Sequence, residues 1–84
     1  MRARVTVYPR REILDPQGKA IRDALVRIGF PEVHEVRAGK CFEIELGTED
    51  AEQAGEALAK MCKKLLANTV VEDYEIELLQ EEPA

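Results

Sequence analysis

The segment Arg2-Ala3-Arg4-Val5-Thr6-Val7-Tyr8 alternates between small or apolar residues and polar ones. Ala3, Val5 and Val7 share one parity, and Arg2, Arg4, Thr6 and Tyr8 share the other, which is the two-residue period of a strand with one buried face. Pro9 has no backbone N–H to give to a ladder, so the strand is expected to stop near it. A strand with one apolar side needs one layer of cover. The next stretch offers it: Leu14-Asp15-Pro16-Gln17-Gly18 opens a helix, with Asp15 as N-cap and Pro16 at the first helical position. Ala20, Ile21, Ala24, Leu25 and Ile28 then form an apolar stripe, opposite Lys19, Arg22, Asp23 and Arg27. Gly29 and Pro31 end it.

Alternation returns from Val33 to Leu46. His34, Val36, Ala38, Lys40, Phe42, Ile44 and Leu46 share one parity, and Glu35, Arg37, Glu43 and Glu45 the other. Two arrangements keep that parity: a hairpin turning over Ala38-Gly39-Lys40, which is favoured, and one long strand bent at Gly39. Thr48 or Asp50 caps a second helix, with Gln53 completing a capping box after Asp50. Its apolar stripe is Ala51, Ala54, Leu58, Met61, Cys62 and Leu65, and Asn68 is expected to end it in a left-handed conformation. A last strand over Glu72–Leu78 turns Tyr74, Ile76 and Leu78 inward and Glu75 and Glu77 outward. The order predicts an α+β fold: a two-layer α/β sandwich, βαββαβ, with an antiparallel sheet, both helices on one face and a ferredoxin-like topology. Residues 1–79 make a single domain, and 80–84 read as a polar, frayed tail.

The chain of 84 residues carries 12 Lys+Arg against 17 Asp+Glu, a formal charge of −5. The balance is uneven: residues 1–40 hold a local +4 and residues 41–84 a local −9. Such a split can mark a nucleic-acid arm or segments that pair inside a fold. A first strand lying between the two acidic strands would set Arg2 and Arg4 against Glu43, Glu45, Glu75 and Glu77, so internal pairing is the favoured reading. No apolar run is long enough to cross a bilayer, and the N-terminal residues lack a secretory pattern. Two cysteines, too few for a disulfide framework, fit a reduced, cytoplasmic setting.

The inventory of reactive groups is thin. Cys62 falls on a helical stripe, where a free thiol is usually a small hydrophobe, and Cys41 sits at a strand start without a partner. His34 is the single histidine. Isolated glycines do not build a phosphate loop, and no ligand cluster has metal-site spacing. Small sandwiches that bind RNA stack bases on sheet aromatics, but Tyr8 is the one aromatic expected on the open face, and the charge opposes a phosphate backbone. The expectation is therefore no nucleic acid, no membrane, no metal and no catalytic residue.

Three segments carry a family resemblance: Leu14-Asp15-Pro16-Gln17-Gly18-Lys19-Ala20, Val36-Arg37-Ala38-Gly39-Lys40, and Lys64-Leu65-Leu66-Ala67-Asn68 leading to Val71-Glu72-Asp73-Tyr74-Glu75-Ile76. In order and spacing the chain resembles the PurS subunit of phosphoribosylformylglycinamidine synthase over nearly its whole length. It departs at Thr69, where the family commonly has Pro. The resemblance implies a PurS-like fold and a role in purine biosynthesis: the full enzyme converts formylglycinamide ribonucleotide to the amidine with ATP and ammonia from glutamine. It implies a non-catalytic adaptor, a dimer or dimer of dimers, joining a synthase subunit (PurL) and a glutaminase subunit (PurQ). ATP, Mg and glutamine would be handled by those partners, with no cofactor in this chain. Asp15, Gln17, Arg37, Lys40, Asn68, Glu72 and Asp73 are the candidate partner contacts, with Gln17, Arg37 and Lys40 the foremost. Each has a plainer reading: helix capping for Asp15 and Asn68, and a solvated turn around Gly39 at positive φ for Arg37 and Lys40. A free-standing regulatory domain that binds a small molecule is the alternative.

Overall fold

The computed structural model describes residues 1–79. In chain order these form β1 (Arg2–Pro9), α1 (Pro16–Arg27), β2 (Lys40–Glu45), α2 (Ala51–Met61) and β3 (Glu72–Leu79), with a π-helical turn over Cys62–Leu66 extending α2. The three strands make one antiparallel sheet in the order β2-β1-β3. The α+β class, the antiparallel sheet and the central place of β1 are as expected. Val5 stands opposite Phe42 on one side and Ile76 on the other, so three apolar side chains line one row. Across the open face Arg4 lies between Glu43 and Glu77, at 3.4 and 3.8 Å.

The core forms where α2 covers the sheet. Ala3, Val5 and Val7 are fully buried against Leu58 and Cys62, with Phe42, Ile44, Tyr74 and Ile76 packed around them. Asp50 caps α2 as expected, accepting from the N–H groups of Glu52 and Gln53. The stripe then breaks phase. The Ala67 N–H donates to the carbonyl of Cys62 at 3.0 Å, a five-residue step that winds one extra residue into the turn. Leu65, expected in the stripe, is turned out and 84% exposed, while Leu66 packs on the core in its place. Asn68 is not left-handed either: among the described residues positive φ occurs at Gly29, which ends α1 as expected.

Two further expectations are corrected. Residues 33–39 form no strand, so the sheet has three strands and neither the hairpin nor the long bent strand exists. Two of the donors a ladder would use go elsewhere: the Ala38 N–H to the carboxylate of Asp15, 2.9 Å away, and the Val33 N–H to the carbonyl of Phe30. Nor do both helices cover the sheet. None of α1's residues belongs to the core cluster, and Leu14, Ile21, Ile28 and Phe30 on α1 and its flanks are 79, 40, 70 and 46% exposed. The radius of gyration, 16.3 Å, exceeds the roughly 12 Å of a compact domain this long because that arm stands away from the sheet.

Candidate functional site

The chain is most irregular where α1 begins, and there Asp15 is the organising residue. Its Oδ1 accepts from the Gly18 N–H at 3.0 Å, the N-cap bond that its place before Pro16 foretells. Its Oδ2 accepts from the Ala38 N–H, so one carboxylate joins the start of α1 to the segment before β2. The Gly18 and Ala38 amides together hold the Asp15 carboxyl below the usual carboxylate range. Gly18 is buried because the carbonyl of Val36 occupies the space where a Cβ would stand. Any larger residue would push the two segments apart.

Arg37 extends the same junction toward the sheet. Its Nη1 donates to the carbonyl of Pro9 at 3.0 Å, and its guanidinium lies over the Tyr8 ring, 5.0 Å from the centroid. The Tyr8 hydroxyl in turn donates to Glu75 at 3.1 Å, which raises the phenol's pKa. Gly39 does not take positive φ; the carbonyl of Val7 instead lies 2.5 Å from where its Cβ would be. Lys40 is exposed at the start of β2, with Nζ 6.0 Å from the centroid of Phe42, and Gln17 is exposed on the first turn of α1.

The remaining candidates gather elsewhere. Asn68 and Glu72 close a small loop between α2 and β3: the Asn68 N–H donates to Glu72 Oε1 at 2.8 Å, and Asn68 Oδ1 accepts from the Val70 N–H at 3.2 Å. Arg10 fastens that loop to β1, donating to the carbonyl of Thr69 at 2.7 Å and pairing with Asp73 at 3.4 Å. Asp15 and Arg37 therefore share one junction, whereas Asn68, Glu72 and Asp73 belong to a second. Both sets are occupied with holding loops.

Between the first turns of α1 and residues 34–37 runs a groove of about 240 Å³. Its walls include Arg11, Lys19, Arg22 and Arg37, with Leu14 and Val36 supplying apolar surface. Arg11, Lys19 and Arg22 were not among the expected contacts, because cations on the polar face of a helix or in a turn ordinarily signify solvation. The signal that was available is the +4 charge of the first 40 residues. Among the described residues no group of three His, Cys, Asp or Glu side chains is placed to hold a metal, and Cys62 is buried, which raises its pKa and removes it as a nucleophile.

Comparison with known proteins points one way. A family model described as PurS, phosphoribosylformylglycinamidine (FGAM) synthase, matches residues 2–80. The chain is 51% identical over 77 residues to the phosphoribosylformylglycinamidine synthase subunit PurS of Mycobacterium leprae, covering 89% of this chain and 91% of that one. It is similar to the crystal structure of Methanocaldococcus jannaschii PurS, with a TM-score of 0.84, 40% identity and coverage of 96% and 98%. It is also similar to a chain in the structure of PurLQS from Thermotoga maritima, with a TM-score of 0.84, 35% identity and coverage of 93% and 95%.

Proposed function

This chain belongs to the PurS family of phosphoribosylformylglycinamidine synthase subunits, and from that premise we propose that it is the adaptor of the complex, holding a synthase subunit and a glutaminase subunit together. The enzyme is a ligase of purine biosynthesis, and the Methanocaldococcus relative is one subunit of the formylglycinamide ribonucleotide amidotransferase of that pathway. The chain by itself turns nothing over. ATP, Mg and glutamine are bound by the partner subunits, and the complex works in the cytoplasm. No helix among the described residues is long and apolar enough to cross a membrane.

One observation carries the adaptor reading: α1 and its flanks present Leu14, Ile21, Ile28 and Phe30 to solvent, although Ile21 and Ile28 belong to a stripe patterned like a buried face. An amphipathic helix left uncovered by its own sheet is a surface for other chains. The chain is accordingly a homo-oligomer, in which a second copy covers part of that face while Gln17, Arg37 and Lys40 meet the larger subunits. Holding two enzymes side by side raises the effective concentration of one at the other, which is how an inert subunit promotes ammonia transfer.

Reconstitution tests this. Glutamine-dependent turnover by the two larger subunits should collapse when this chain is omitted, while turnover supplied with ammonium directly should depend on it far less. Alanine at Gln17 and Lys40 should leave the chain folded but weaken co-purification of the complex, whereas alanine at Arg37 should also loosen the tie to Pro9. Turnover by the chain alone would refute the reading. A rise in melting temperature with an amino acid or nucleotide, without effect on assembly, would favour the regulatory alternative.

A further inference from the structure

The groove at the start of α1 combines features that the fold itself does not use. Four cationic side chains, Arg11, Lys19, Arg22 and Arg37, meet two carboxylates, Asp15 and Glu35, along its walls, a local excess of positive charge on a chain of net −5. Asp15 is already committed to two backbone amides, and Arg37 to the Pro9 carbonyl. Among the described residues Lys19 has no ion-pair partner, and Arg22 pairs only with its neighbour Asp23. The Arg22 side chain is 43% exposed, so its guanidinium is open to a further acceptor beside Asp23. A carboxylate arriving from outside would find in Lys19 an unpaired ammonium and in Arg22 a guanidinium with donors to spare.

The kind of anion follows from the rest of the lining. A free phosphate is best held by backbone N–H groups at a helix start, but here the Gly18 N–H is taken by Asp15, whose charge repels a dianion. The groove also offers Leu14, 79% exposed, beside Val36. Its walls thus ask for carboxylate and apolar side chains presented together. We infer that this groove seats an acidic segment of a partner protein, with a Glu or Asp side chain set between Lys19 and Arg22 and an apolar neighbour laid on Leu14. The inference deepens the adaptor reading and rests on it: the partner is one of the larger subunits.

The test is a charge reversal, Lys19→Glu with Arg22→Glu, in the full chain. Glu is about as good a helix former as Lys or Arg, and neither side chain is buried, so the variant should keep the wild-type circular dichroism. Affinity for the purified synthase and glutaminase subunits, measured by titration calorimetry, should fall on the order of tenfold or more. Wild-type affinity should itself weaken with rising sodium chloride. Reversing Lys60 and Lys63, which lie outside the groove, should change affinity by no more than about twofold.

Unchanged binding by the groove variant would overturn the inference and leave the adaptor reading standing. No binding by the wild-type chain would overturn both. Competition by millimolar inorganic phosphate would identify a small-anion site instead. Loss of self-association on sedimentation, with partner affinity intact, would assign the groove to contact between copies, and either result would overturn the inference.

Discussion

The two helices do opposite work. Against the sheet, α2 and the π-helical turn that extends it lay Ala54, Leu58 and Cys62 down until each is fully buried, and this half is stabilised by excluding water. Across the molecule α1 carries a stripe of similar pattern and buries no apolar side chain fully; its start is fixed by the polar ties of Asp15 and by contact between Gly18 and Val36. That contrast is what the proposed adaptor calls for. Burial makes a fold that stands alone, whereas directional bonds place a surface accurately and leave it free to be covered.

Truncation of apolar side chains should separate the halves most widely. Leu58 has no exposed surface at the centre of the core, and Leu58→Ala should cost about 2–5 kcal/mol in a urea melt. Ile28 is 70% exposed, and Ile28→Ser should change the stability of the dilute chain by no more than about 0.5 kcal/mol. The same variant should abolish any rise in melting temperature with protein concentration, because that rise measures cover supplied by another copy. Equal losses for Leu58→Ala and Ile28→Ser in dilute solution would mean that α1 is part of the core after all.

Acid should divide the halves next. The Asp15 pKa is depressed in the fold from an ordinary value of 3.8, so its contribution is full above that value and is lost as the pH falls through the depressed one. Amide exchange at Gly18 and Ala38 should therefore accelerate in strong acid while amides of β1 remain protected. Asp15→Asn, which retains an acceptor but not the charge, should loosen the junction at neutral pH and remove most of that acid dependence. Uniform loss of protection in both halves would show that the junction and the sheet melt as one unit.

How much of this was legible depended on whether the cause was local. Asp15 before Pro16 announces a cap, and alternation from Ala3 to Val7 announces a half-buried strand, because capping and side-chain parity are set within a few residues. Strand order was legible only as a conjecture: acidic strands on both sides of Arg4 suited a central β1, but exposed charges cannot dictate an order. The π-helical turn was not: a 3.6-residue period puts Leu65 inward, and the extra residue that puts Leu66 there leaves no mark in composition. Residues 33–39 misled for another reason. Parity reports an extended chain, but a strand also needs a ladder, and the donor of Ala38 was claimed by a residue 23 positions earlier. The stripe on α1 foretold a helix packed on the sheet, whereas Ile21 and Ile28 stand exposed, because an apolar stripe does not specify what covers it. Around the groove, Asp15 and Arg37 drew notice from the sequence as a cap and a turn cation, while Lys19 and Arg22 did not, because a groove exists only after folding.

On the open face of the sheet the expected energies are slight, yet they bear on what orders the strands. Arg4 reaches Glu43 at 3.4 Å and Glu77 at 3.8 Å, yet its side chain is 42% exposed and the two glutamates 66 and 65%. At such exposure solvent screens most of the attraction, so each pair should couple by only about 0.2–1 kcal/mol, and less at high salt. A double-mutant cycle with Arg4→Ala and Glu43→Ala, repeated with Glu77→Ala, isolates that energy from the rest of the strand. The Glu43 arm should give the larger coupling, because its bond is shorter and is also a hydrogen bond, from Arg4 Nη2 to Glu43 Oε1. Reversing both partners of one pair, Arg4→Glu with Glu43→Arg, should recover part of the single-variant loss but set the new carboxylate on β1 against Glu77 on the far side. Recovery should therefore fall short. Strict additivity in both arms would mean that charge does no more than decorate the open face and that the order β2-β1-β3 is dictated by the row of Phe42, Val5 and Ile76 beneath it.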